Sequence, residues 1–99
     1  MGKVQGVQTR SGYMEPAGYV QITSLAAAAN ITSIPNGATL AVIQAESQNV
    51  RYRDDGTNPT TSVGMILAAG DILYYTGDMS AIKFIEVTGS AKLNISYYK

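Results

Sequence analysis

The sequence predicts an all-β fold, read as an antiparallel β-sandwich of jelly-roll-like type, and three observations carry the all-β prediction, which by themselves suit a sandwich or a barrel. From Ala17 onward, short apolar stretches alternate with polar residues at period two, as half-buried strands require. Turn-forming residues separate these stretches at intervals of roughly ten residues, the spacing of sandwich and barrel strands. Helical periodicity is absent: Ala26 to Ala29 are followed at once by Asn30 and the β-branched Ile31 and Thr32, which leaves room for a turn or two of helix at most. A chain of 99 residues has length for one domain with one core and a narrow stability margin. Residues 1–16 read as a short flexible N-terminal arm and 17–99 as the single sandwich domain, because the opening is glycine-punctuated and poor in large apolar side chains.

The first strand is expected at Gly18 to Leu25, where Val20 and Ile22 alternate with Gln21 and Thr23. Pro35, Asn36 and Gly37 then turn the chain into Thr39 to Ala45, a strand apolar on both faces and so expected to be covered on both. Asn49 to Arg53 places Val50 and Tyr52 on one side and both guanidinium groups, Arg51 and Arg53, on the other. The densest cluster of turn formers, Asp54 to Pro59, predicts an exposed loop. Val63 to Leu67 reads as a buried strand interrupted at Gly64, where a bulge or a close backbone approach is expected. Ile72 to Tyr75 is a short aromatic strand. Ala81 to Val87 slips its apolar phase between Phe84 and Ile85, which calls for a bulge or a second covered face. Ala91 to Tyr98 shows the cleanest alternation in the chain.

Composition narrows the chemistry. There is no cysteine and no histidine, hence no disulfide, no thiol nucleophile, no thiolate-bound zinc and no imidazole base. Seven basic and seven acidic residues balance to zero, so no strong field draws the chain to nucleic acid or an anionic membrane. No apolar run approaches the ~20 residues of a membrane span or the core of a signal peptide, and the reading is of a protein made and kept in a cytosol. The sequons at Asn30 and Asn94 are therefore read as chance matches. Phosphate-cradling glycine loops and nucleophile elbows are missing. Asp54, Asp55, Asn58, Asp71 and Asp78 are hard oxygen donors, but their spacing matches no EF-hand, and no metal or other cofactor is expected.

The strongest polar constellation is Arg51, Arg53, Asp54 and Asp55. It can bind a partner surface, through the planar arginine fork, or pair locally while the Asp-Gly step makes the turn. Seven tyrosines stand beside one phenylalanine and no tryptophan, and tyrosine is the amphipathic aromatic that interfaces favour. Tyr52 and Tyr97 are expected in the core, Tyr75 and Tyr98 outward. The edges of so thin a sandwich need cover, so self-association into a homodimer or homotrimer is expected.

From Val50 onward the text Val-Arg-Tyr-Arg-Asp-Asp-Gly-Thr (Val50 to Thr57), Pro59-Thr60, Val63-Gly64-Met65, Ala69-Gly70-Asp71, Tyr-Thr-Gly-Asp-Met-Ser-Ala-Ile (Tyr75 to Ile82), Phe84-Ile85 and Leu-Asn-Ile-Ser-Tyr-Tyr (Leu93 to Tyr98) resembles a group of small virion structural proteins of tailed bacteriophages. The resemblance covers a little over half the chain, and Tyr19 to Ala45 looks like that family's more variable front part. It implies a non-catalytic decoration or cement protein on the outer capsid surface. The major capsid protein would be its partner, the virion its location, and the host cytoplasm its place during assembly. Interface candidates are then Arg51, Arg53, Asp54, Asp55, Thr57, Tyr75 and Tyr98. The alternative is a tail- or head-fibre-associated adaptor or receptor-binding module that holds carbohydrate on its tyrosines.

Overall fold

The computed structural model describes residues 8–9 and 12–99, with side chains from Met14 onward. The fold is all-β, with no helix among the described residues: two antiparallel four-stranded sheets form a β-sandwich. Its strands are β1 (Gln8–Thr9), β2 (Gly12–Tyr13), β3 (Pro16–Ile22), β4 (Ala29–Asn30), β5 (Leu40–Glu46), β6 (Val50–Arg53), β7 (Met65–Leu67), β8 (Ile72–Tyr75), β9 (Lys83–Glu86) and β10 (Lys92–Tyr98). One sheet has the order β3-β10-β5-β8, the other β4-β9-β6-β7, and β1 pairs with β2 apart from both. Strands β3 to β6 run out and β7 to β10 return. Each returning strand lies beside its counterpart, β10 beside β3, β9 beside β4, β8 beside β5 and β7 beside β6, and these pairs fall alternately in one sheet and the other.

Period two fills the space between the sheets. On the inner face of the first sheet one row runs Gly18, Tyr97, Ala41, Tyr75. Small residues separate the two rings, so neither is crowded out. The next rows are Val20, Ile95, Ile43, Leu73 and Ile22, Leu93, Ala45. Phe84, Val50 and Leu67 oppose them from the second sheet, while Leu25, Ile31, Met79 and Ile82 close the core from the connections. Phe84 is fully buried, and Tyr52 packs its ring 5.5 Å from it, centroid to centroid, at a tilt of 41°. Each such large side chain contributes roughly 1.5–3 kcal/mol by leaving water.

The alanine run forms no long helix, as expected; it bends into β4, where Ala29 and Asn30 pair with Phe84 and Lys83. The expected arm, residues 1–16, contains the pair β1 and β2, and β3 already begins at Pro16. Glu15 and Lys99 exchange both backbone hydrogen bonds, at 2.7 and 3.0 Å, which extends the pairing of β3 with β10. The rest of that arm, residues 1–7, 10 and 11, lies outside the described residues. Of the expected buried strand Val63 to Leu67 only Leu67 is buried, since β7 is an edge strand with no neighbour on one side among the described residues. On β5 the outward Val42 and Gln44 are half-buried rather than covered. At Phe84 and Ile85 the register runs without a bulge, and Ile85 is buried opposite Arg51 on the outer face, so the covered second face is what the phase slip reported.

Candidate functional site

The loop between β6 and β7, residues 54–64, is held from below by the side chains the sequence singled out. Arg51 and Arg53 share the outer face of β6, as alternation requires. Arg51 donates from Nε to the Thr61 carbonyl at 3.2 Å and from Nη1 to the Gly64 carbonyl at 2.8 Å, so its fork is spent inside the loop. Thr60 accepts the Ser62 and Val63 amides on its hydroxyl, and Pro59 is fully buried beneath. Gly64 has φ +140°, and a Cβ there would lie 3.1 Å from the Tyr52 carbonyl oxygen and 3.2 Å from the Cβ atoms of Arg51 and Pro59. This is the close backbone approach expected at that glycine.

Farther out, Arg53 forks onto Asp55 through Nε at 3.0 Å and Nη2 at 2.5 Å. That fork holds the Asp55 carboxyl below its ordinary value and raises the guanidinium; both groups are solvent-facing. The Thr57 amide donates to Asp55 at 3.4 Å, and Lys83 Nζ donates to Asn58 at 2.9 Å. Asp54 turns the other way and accepts the Tyr75 hydroxyl at 2.8 Å; that hydroxyl also faces the Asp78 carbonyl at 3.2 Å. Burial, then the Asp54 carboxylate, pushes the Tyr75 phenol up to about 12. The Ser80 hydroxyl and amide close on Asp78 at 2.6 and 2.9 Å and lower its carboxyl.

Tyr75 is therefore not the outward tyrosine the sequence led one to expect. Its ring is 8% exposed on the inner face, while Tyr74 stands outward at 46%. Alternation sets which neighbours oppose each other but not which points inward; here the phase is set by register, with Tyr75 opposite the small Ala41 and Tyr74 opposite Val42. Tyr97 is core, as expected; its hydroxyl donates to the Thr32 carbonyl at 2.7 Å, and burial pushes its phenol up to about 12. Tyr98 lies half-buried on the outer face, beside an irregularity between Tyr97 and Tyr98, and Thr57 is exposed.

Arg51, Arg53, Asp54 and Asp55 are thus brought together, but as a brace. The two carboxylates diverge to different partners, so they form no facing acid-base pair, and no group of three metal-ligating side chains converges among the described residues. Open to solvent is a shallow groove lined by Arg53, Asp54, Asp55, Val63, Gly64 and Met65. Val63 is 51% and Met65 63% exposed on its apolar side. Sequence reasoning missed these two because a valine and a methionine beside a strand read as core; the edge position that exposes them is a long-range fact.

A second surface went unread. On the outer face of the first sheet, Tyr19, Ser96, Val42 and Tyr74 form one row and Gln21, Asn94, Gln44 and Ile72 the next. Asn94 centres a ladder: its Oδ1 accepts from Tyr19 and Gln21 at 2.7 and 2.9 Å, and its Nδ2 donates to Gln44 and Glu46 at 3.3 and 2.9 Å. Comparison with protein-family models, with curated proteins and with solved structures returns no match for this chain.

Proposed function

We propose that this chain is a non-catalytic structural protein of a tailed-phage virion, which binds the outer capsid surface as a decoration or cement protein. The observation that carries this reading is the braced loop 54–64 beside the exposed Val63 and Met65. Its charged groups are already satisfied internally, so docking loses little entropy, and its apolar side gains from burial against a protein surface. Binding that exists only on the assembled lattice then stabilises the lattice by linkage. The strand order lends support of a coarser kind. Pairing β3 with β10, β4 with β9, β5 with β8 and β6 with β7, alternately in two sheets, supports a jelly-roll reading, a winding used by viral capsid and lectin domains, and this is analogy at the level of fold.

The test is co-sedimentation of the purified protein with expanded phage heads that lack it, followed by heating of those heads. Saturable binding with a raised disruption temperature is expected, and Met65→Glu should weaken it about tenfold or more by placing a charge in the docking groove. Heads that neither bind the protein nor gain heat resistance would overturn the reading.

One observation favours a carbohydrate-holding module as the second reading. The Tyr19 hydroxyl reaches across to Asn94 on the neighbouring strand, so the ring leans over the sheet while remaining 63% exposed, amid uncharged amides that can bond sugar hydroxyls. A glycan array separates the readings: retention of a glycan that is lost in Tyr19→Ala would favour this one, and a blank array would remove it.

A further inference from the structure

The two long sides of the sandwich are unequal. On one side β3 opens with Pro16 and is laced to Lys99 through Glu15, and β4 is only two residues long, so that edge is blunted. On the other side β7 and β8, consecutive in the chain, end their respective sheets, with no strand beyond either among the described residues. Among the described residues, five of the seven exposed large apolar side chains, Val63, Met65, Ile66, Ile72 and Tyr74, lie on or next to this side. Asp71 is the only charged residue between Gly56 and Gly77. The lysines, prolines and bulges that usually guard an edge are missing from β7 and β8.

We propose that β8 is the subunit contact of a homodimer, pairing antiparallel with β8 of a second copy about a two-fold axis through Leu73. The backbone sets this register. Alternate residues of an antiparallel strand direct both their N–H and C=O to the same side, and the Asp71 carbonyl points at Ala45 on β5. Ile72 and Tyr74 therefore direct theirs away from β5, toward the open edge. Directly opposed residues of antiparallel strands share a face, so the axis must pass through a residue rather than between two. Centred on Leu73, it brings Ile72 opposite Tyr74 of the second copy and Tyr74 opposite Ile72. These are the residues whose backbone groups are free, and they exchange both hydrogen bonds.

Side chains agree with the backbone. Each outward pair is then an isoleucine against a tyrosine, a favourable cross-strand combination, and the two Leu73 residues meet on the inner face. A two-fold contact sets each surface against itself, so any charge on the strand would recur near its own copy; the strand Ile-Leu-Tyr-Tyr carries none. This identifies a second copy as the occupant: the strand is self-complementary in register, in face and in charge. The groove at Val63 and Met65 plays no part in the pairing, so the dimer stands or falls independently of the capsid reading.

The experiment is light scattering of the full-length chain across a concentration series, paired with amide hydrogen exchange. A mass of two chains is expected, with the Ile72 and Tyr74 amides protected in the dimer and exchanging after dilution to the monomer. Tyr74→Lys should weaken association about tenfold or more with the circular dichroism unchanged, while Tyr19→Lys, at the opposite edge of the same sheet, should leave it intact. A single-chain mass at every concentration would overturn the proposal. So would a dimer whose Ile72 and Tyr74 amides exchange freely, and that test holds even if Tyr74→Lys fails to fold.

Discussion

The hydroxyl of Tyr75 donates to the carboxylate of Asp54 across 2.8 Å, and in doing so ties the last strand of one sheet to the end of β6 in the other. It is a polar link between two layers that pack mainly through apolar side chains, and it anchors the first residue of the loop that lines the groove at Val63 and Met65.

Removing only that hydroxyl isolates the link. Tyr75→Phe keeps the ring on the inner face, and Asp54 is exposed enough for water to take the vacated place. A loss of about 1–1.5 kcal/mol is expected in urea unfolding at neutral pH, with an unchanged slope.

Alkaline pH should weaken the fold through two phenols. Tyr75 and Tyr97 both have folded values raised to about 12, against an ordinary 10.0, so the native state holds their protons longer than the unfolded chain does. Their contribution is fully present below pH 10 and is lost as pH climbs from there through about 12. Thermal midpoints followed over that range, with phenolate absorbance recorded in parallel, should fall as these two groups ionise. Tyr75→Phe should flatten the fall.

Gly77 owes its identity to the same ring. A Cβ at that position would stand 2.5 Å from the Tyr75 hydroxyl oxygen and 2.7 Å from Cζ. Gly77→Ala should cost about 1–3 kcal/mol by displacing the buried ring. In a double-mutant cycle with Tyr75→Leu most of that cost should vanish, whereas additive losses would place its origin elsewhere.

Arg51 and Arg53 separate by role. Arg51→Ala leaves the Thr61 and Gly64 carbonyls without their charged donor and should cost about 1.5–3 kcal/mol in denaturant unfolding. Arg53→Ala breaks a solvent-facing pair and should fall within about 1 kcal/mol of the parent. A stable Arg51→Ala protein that has lost head binding would instead make Arg51 a docking group.

Much of the fold was legible because one inward face demands strict alternation. The stretch Ala91 to Tyr98 declared β10 this way, and Gly64 declared the close approach beneath the loop. What stayed hidden depended on partners distant in sequence. The two-residue β4 is too short to show a period, and the exposure of Met65 and Ile66 follows from β7 having, among the described residues, a strand on one side only. The inward turn of Tyr75 rests on Ala41, more than thirty positions earlier. For the site, residue types and their clustering were visible, but whether Arg51 reaches outward or downward is decided by the carbonyls of Thr61 and Gly64, which no local pattern encodes.

The position of β10 bears on how the molecule is made. It lies between β3 and β5, so two of the three strand contacts in that sheet wait for the segment that follows every other strand in the sequence. During synthesis at roughly 5–20 residues per second, β3, β5 and β8 spend seconds outside the ribosome with apolar faces uncovered. Folding of this domain is therefore dominated by contacts distant in sequence and belongs to the slow, milliseconds-to-seconds class of all-β chains.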